Sequence, residues 1–241
     1  MPHRDASQPV IEREALVADD AASASTDGVT VPAIVSAIEE EIVLSRLHPR
    51  ERLVEEDLMR RFDGKRHVVR QALFQLENAG LVERIKNRGA FVRAYTPDEV
   101  EAIYAMRELL EGRAAAQIPL PAPSSLLDAL NRIQRDHSEA IERSDWRAVF
   151  RHNIDFHRTL FAACGNPYLS ETINDFAQKA HAIRFIGTTD RESIELARDE
   201  HRGMIDALER EDREAFSQLC YQHLQPSKER YLRLYRQREG G

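Results

Sequence analysis

The chain has 241 residues, 42% hydrophobic and 31% charged, with a net charge of −7. No apolar run nears the ~20 residues of a membrane span, and the N-terminal stretch has no apolar signal-peptide core. Its two cysteines, Cys164 and Cys220, form no CxxC pair and read as reduced core thiols, which points to a cytoplasmic protein rather than a disulfide scaffold. The length suits two modest domains.

The charge is unevenly spread. Residues 58–93 hold nine Lys/Arg and three acids, a balance of +6, so the rest of the chain stands at −13. An acidic body with one basic face suggests a polyanionic partner for that face alone.

Residues 1–28 lack hydrophobic periodicity and are rich in Ala, Ser and Asp, which reads as a disordered tail. From Val31, Ile34, Val35, Ile38 and Ile42 recur at helical spacing. That helix is expected to run to Leu47–His48, ahead of Pro49. A short helix is expected over 55–62, and the stretch Asp63-Gly64-Lys65 breaks it, glycine suiting a tight turn. A third helix, from about Arg66, carries Val69, Ala72, Leu73 and Leu76 on one side. Gly80 stops it as a C-terminal glycine. Two strand-like runs, LVERIK and AFVRAY, then flank Asn87-Arg88-Gly89 and signal a hairpin.

The pattern changes at Thr96-Pro97-Asp98-Glu99, a capping box with proline in the first helical turn. A domain boundary is expected at 95–97. Beyond it the chain reads as helices over about 97–117, 124–143, 145–164, 166–187, 191–210 and 212–237, with Asp145 and Asp212 as N-caps. The fold class is therefore mainly α: an N-terminal winged helix-turn-helix domain (29–95) plus a C-terminal all-α antiparallel helical bundle (96–238).

In a winged helix-turn-helix the third helix enters the major groove and presents its N-terminal residues to base edges. Lys65, Arg66, His67 and Arg70 occupy those positions. Arg66 and Arg70 are four apart and share a face, and arginine can grip guanine with two hydrogen bonds. The wing tip, Arg88 and Gly89, would reach phosphate or the minor groove. The partner is then double-stranded DNA. One recognition helix reads few base pairs, so a homodimer on a palindromic operator is expected.

Among nine histidines, Asn153 and His157 share a helix face. His201 and His223 lie about equally far from a turn near Glu211, so an antiparallel pair would bring them together. Spacing alone leaves these as ordinary core or surface histidines, with a metal site the less common reading. Trp146, at a helix start, reads as a packing residue. His152 and His181 read as surface or pocket-wall residues. No GxSxG, phosphate-binding glycine loop or CxxC signature is present, and the chain is read as not an enzyme.

The stretch ERLVEEDLMRRFDGKRHVVRQALFQLENAGLVERIKNRGAFV resembles the DNA-binding domain of GntR-family bacterial transcription regulators, without gaps over more than forty residues. The resemblance implies operator contacts by Arg66, Arg70 and the glycine-containing wing tip. The sequence departs from the family at Lys65 and His67, where many members have small hydroxyl residues, and at Val68, where many have proline. Glu56 stands where some members carry a DNA-contacting arginine.

FHRTLFAACGNPYL, followed by EHRGMIDALEREDREAF and His223, looks like the effector domain of the FadR subfamily. That implies a divalent metal ion held by Asn153, His157, His201 and His223, although many members have Asp at the first position. Three imidazoles and an oxygen suit zinc or nickel. Open metal positions would take a small carboxylate effector. Arginine at the position of Arg107 commonly faces the effector pocket in this subfamily; the alternative is a surface pair with Glu111. The expected function is a DNA-binding transcription regulator, a repressor by default, controlled by an organic acid. A metal-responsive regulator and a three-histidine hydrolase are the rival readings.

Overall fold

The structure, a computed structural model, describes residues 29–184 and 191–239. The tail expected over 1–28 lies outside the described residues, as do the last residues of the helix expected to reach 187.

Helix α1 (Val31–Val43) begins at Thr30, whose hydroxyl accepts from the Ala33 amide, and buries Ile34, Ile38 and Ile42. It ends four to five residues earlier than expected. Leu44 caps it and Ser45 turns left-handed at φ 54°, so the chain leaves the helix well before Pro49 could stop it. Helix α2 (Glu55–Phe62) ends at a left-handed Asp63. Helix α3 (Arg66–Asn78) buries Val69, Ala72, Leu73 and Leu76. Gly80 follows at φ 76°, a conformation that favours glycine.

Strand β1 (Arg52–Leu53) is short and was not signalled by periodicity. With β2 (Val82–Ile85) and β3 (Gly89–Val92) it forms an antiparallel sheet of order β1-β3-β2. Asn87 at φ 62° and Gly89 at φ 102° turn the hairpin, pairing Ile85 with Gly89 and Val82 with Val92.

Six helices follow among the described residues: α4 (Pro97–Gln117), α5 (Ser124–Glu142), α6 (Trp146–Ala162), α7 (Pro167–Arg184), α8 (Arg191–Glu209) and α9 (Arg213–Glu239). The Thr96–Glu99 capping box is formed in full. Asp145 and Asp212 cap as expected, accepting from the Ala148 and Ala215 amides. Trp146 packs against a small cluster of Ala140, Ile141, Val149 and Ile194. Both cysteines are free and buried.

The first core does not stop at the sheet. Ile34, Leu73 and Val92 share one buried cluster with Tyr104, Ala180, Ile183, Leu224 and Tyr231 of the helical bundle. Polar ties cross the same junction. Glu40 of α1 accepts from Arg147 and Arg151 of α6 at 2.7 and 2.6 Å. The Tyr231 hydroxyl donates to the Tyr95 carbonyl at 2.8 Å.

Candidate metal centre and nucleic-acid interface

On α3 the apolar side is clamped into the core, which leaves Lys65, Arg66, His67 and Arg70 exposed together at its N-terminal end. Arg66 and Arg70 reach back to the first turn of α2, pairing with Glu56 at 3.3 Å and Glu55 at 2.8 Å. The wing stands beside them. Arg88 and Gly89 are exposed, with the Arg88 guanidinium over the Phe91 ring. Arg84 donates to the Arg70 carbonyl at 3.1 Å, tying wing to recognition helix. The six residues expected to meet DNA thus lie on the two protruding parts of one small domain.

In the bundle, α6, α8 and α9 bring three imidazoles to one point. His157 Nε2 lies 3.2 Å from His201 Nε2 and 3.1 Å from His223 Nε2. Ligands ~2.0–2.1 Å from a tetrahedral ion stand about 3.3 Å apart, so these separations suit one shared cation. The antiparallel α8–α9 pair places the His201 and His223 rings 4.9 Å apart at their centroids, as the spacing about Glu211 predicts. His157, His201 and His223 together form a buried three-histidine group with metal-ligand spacing.

Burial holds all three rings neutral. It pushes His157 and His201 well below the ordinary histidine range. It lowers His223 as well, against the opposing pull of Glu200. Neutral imidazoles with converging Nε2 atoms offer lone pairs, which is what a cation needs. Glu200 Oε2 lies 2.6 Å from His223 Nδ1, so it can hold the ring with its proton on Nδ1, the arrangement typical of metal-ligating histidines. The buried Nδ1 atoms of His157 and His201 and the Asn153 amide nitrogen have no hydrogen-bond partner. An unsatisfied buried polar atom is costly. The residues present fit a divalent ion.

Asn153 joins this group through an unexpected neighbour. Arg184, the last residue of α7, points its NH2 between Asn153 Oδ1 (3.3 Å), His157 Nε2 (3.4 Å) and His223 Nε2 (3.2 Å). Burial, and then the nearby Arg107, push its pKa down to about 10. No motif marks Arg184 in the sequence. Glu200 is equally hidden there, although it directly precedes His201.

Cavities open on both sides of Arg184. One lies toward Asn153, His223, Ser193, Ser227 and Arg230, with apolar walls from Val149 and Ile194. The other lies toward His157, Arg107, Arg158, His181 and Glu39. His181 is therefore a wall residue, as one of its two readings held, while His152 is half-buried. Glu39, from α1, is a DNA-binding-domain residue in the wall of a bundle cavity.

Arg107 combines its two readings. It pairs with Glu111 at 2.9 Å, but the pair is buried rather than superficial, with side chains 2% and 4% exposed. Its NH1 is left without a partner at the cavity wall. The expected surface location fails because Arg107 and Glu111 fall on the side of α4 that carries Val100, Ile103, Tyr104 and Ala114 and packs against α7 and α9.

Known proteins agree with this architecture. Residues 30–92 match the family model of the bacterial regulatory proteins, gntR family, and residues 102–226 match the FCD domain. The HTH-type transcriptional repressor RspR of Escherichia coli is 24% identical over 192 residues, covering 80% of this chain and 84% of that protein. The HTH-type regulator YdhC of Bacillus subtilis is 26% identical over 176 residues, covering 73% and 79%. A GntR regulator from a Rhodococcus species superposes with a TM-score of 0.71 at 23% identity, over 84% of this chain and 97% of that one. Escherichia coli McbR/YncC gives 0.69 at 16%, over 85% and 98%. The paired domain matches and the winged helix-turn-helix on a helical bundle make this chain a member of the GntR family of DNA-binding transcription regulators, with an FCD domain behind its DNA-binding domain.

Proposed function

We propose that this regulator is a cytoplasmic homodimeric repressor of the FadR subfamily, whose hold on a palindromic operator is set by a small carboxylate bound in the helical domain. The observation that carries the reading is the convergence of three neutral histidines and Arg184 between two cavities. A zinc or nickel ion held by His157, His201, His223 and Asn153 would supply open positions for a carboxylate oxygen. Four neutral protein ligands leave the ion's charge uncompensated, which favours an anionic effector.

The chain's own groups favour the same class. Arg184 presents a guanidinium to both cavities, and Arg107 adds an unpaired NH1 to one of them. Charge-assisted, two-pronged hydrogen bonding is what arginine offers a carboxylate. Lys65, Arg66, His67, Arg70, Arg88 and Gly89 would contact DNA, the first four in the major groove and the wing beside it. Effector binding would reach them through α1, because Glu39 lines the cavity and α1 packs against α3. A coupling of ~1–3 kcal/mol changes operator affinity about 5–150-fold.

The test is a melting-temperature screen of small carboxylic acids on metal-loaded and metal-stripped protein, repeated with His201→Ala. A large upward shift that needs the metal and is lost in His201→Ala supports the proposal. Equal shifts with and without metal would detach the histidines from effector binding. Undiminished metal content in His201→Ala would remove that residue as a ligand.

A further inference from the structure

The exposed side of α3 does not end at Arg70. Arg66, Arg70 and Phe74 recur every fourth residue and form one ridge, because such positions are neighbours on a helix surface. Val69, Ala72, Leu73 and Leu76, on the other side, are buried in the core. Phe74 is 53% exposed and is the only exposed phenylalanine among the described residues. Such a ring leaves a large apolar area in water. The surface around it is polar or basic: His67, Gln71, Gln75 and Asn78 are exposed on the same side. The single acid of the helix, Glu77, is paired with Arg84 of β2 at 3.4 Å. Arg84 also donates to the Arg70 carbonyl. The wing strand thus places a cation at the two residues that bracket Phe74, four before it and three after. The whole length of the helix offers a surface that tolerates phosphate, with one apolar point in it.

Duplex DNA carries a group that matches that point. The thymine methyl is an apolar feature of the major groove, and phenylalanine is among the side chains that contact it. We propose that Phe74 is a specificity-determining residue of the operator interface, its ring packed on a thymine methyl beyond the bases reached by Arg66 and Arg70. This rests on the DNA-contact reading above and adds a base preference to it. Phe74 lies ~12 Å along the helix axis from Arg66, at ~1.5 Å per residue. With α3 lying along the groove, and ~3.4 Å per base pair, the thymine stands about three to four base pairs from the base that Arg66 reads.

The experiment uses the full chain and a duplex operator selected from a random pool by the wild type. Each thymine is replaced in turn by uracil, which removes the methyl alone, and binding is read by fluorescence anisotropy. At one thymine of a half-site the replacement should weaken wild-type binding about fourfold, the worth of one buried methyl-sized group. Phe74→Ala should bind the thymine duplex more weakly than wild type does, and should not distinguish it from the uracil duplex. Tyr168→Ala, which removes a 79% exposed ring from α7, should keep the wild-type uracil profile. An Arg66→Ala variant that matches wild type on the same duplex overturns the DNA-contact reading itself. A loss in Arg66→Ala, with no uracil position that separates Phe74→Ala from wild type, overturns only the role of Phe74. A weaker Phe74→Ala that keeps the wild-type uracil profile places the ring on the sugar-phosphate backbone and also overturns it. If Phe74→Ala fails to fold, Phe74→Gln, similar in length and polar, takes its place.

Discussion

Glu39 Oε1 lies 2.8 Å from His181 Nδ1, joining the first helix of the DNA-binding domain to the wall of a bundle cavity. Burial pushes His181 below the ordinary histidine range, so at neutral pH the ring is uncharged and its Nδ1–H can donate to the carboxylate. Both residues line the cavity that Arg184 and Arg107 also face. An anion entering there meets Glu39 as a like charge and Arg184 as an opposite one. Glu39→Gln keeps an acceptor for His181 but removes the charge. The expected result is near-normal operator binding without effector, and an effector response reduced from the ~5–150-fold of a typical coupling to about twofold. Fluorescence anisotropy with and without the effector found in the melting screen checks it; an unchanged response would move the coupling route away from α1.

Arg184 and a divalent cation compete for the same atoms. Its NH2 hydrogen bonds use the lone pairs of His157, His223 and Asn153, and like charges at such separations repel. The guanidinium must turn away before these atoms ligate. Arg184→Ala is expected to bind zinc about tenfold more tightly, ~1.4 kcal/mol, in chelator-competition titrations. The same variant should lose carboxylate affinity. Weaker zinc binding by Arg184→Ala would mean that the arginine supports the ligands rather than opposing the ion.

What could be read in advance follows from the range of each interaction. Arg66 and Arg70, four apart, declare a shared face within one helix, and Gly80 and the Asn87–Gly89 turn declare their own backbone geometry. His201 and His223 were placed together by a single symmetric turn. Arg184, Glu200 and Glu39 reach the same region by tertiary packing, and no local periodicity carries that information. The end of α1 misleads because Pro49 is a conspicuous stop, while the left-handed Ser45 that ends the helix is an ordinary residue. Arg107 and Glu111 have pairing spacing, yet their burial depends on which side of α4 packs against α7 and α9.

Arg66 and Arg70, proposed to read the operator, are already held in ion pairs in the absence of DNA. Glu55 and Glu56 orient Arg70 and Arg66 from the neighbouring helix, and they must release them or share them with the operator. These are exposed pairs, worth little in isolation. Arg66→Ala or Arg70→Ala should cost ~1–3 kcal/mol in operator binding. Glu56→Gln removes a negative charge beside the proposed DNA-reading arginines and should tighten non-specific duplex binding several-fold at low salt, with the gain fading as salt rises. Anisotropy titrations on an operator selected from a random duplex pool, and on unrelated duplex, measure both effects. Arginine variants that match wild type across the salt series would remove α3 as the reading helix.

Tyr95 is tied to the turn after α3 through its phenol and to α9 through its backbone carbonyl. Its hydroxyl donates to the Gly80 carbonyl at 2.7 Å, and its own carbonyl accepts from Tyr231. Burial pushes its pKa from 10.0 up to about 12, although Arg93 beside it pulls the other way. The folded protein therefore holds this proton more tightly than the unfolded chain does. The stabilisation is complete below about pH 10 and is lost as pH rises toward 12. Two units at ~1.4 kcal/mol each set a ceiling of about 3 kcal/mol. Tyr95→Phe cannot ionise but leaves the Gly80 carbonyl unpaired, costing about 0.5–1.5 kcal/mol at neutral pH. Wild type should thus melt higher than Tyr95→Phe at pH 8, with the gap closing or reversing by pH 11. Parallel melting curves across that range would show that the phenol is not the group being titrated.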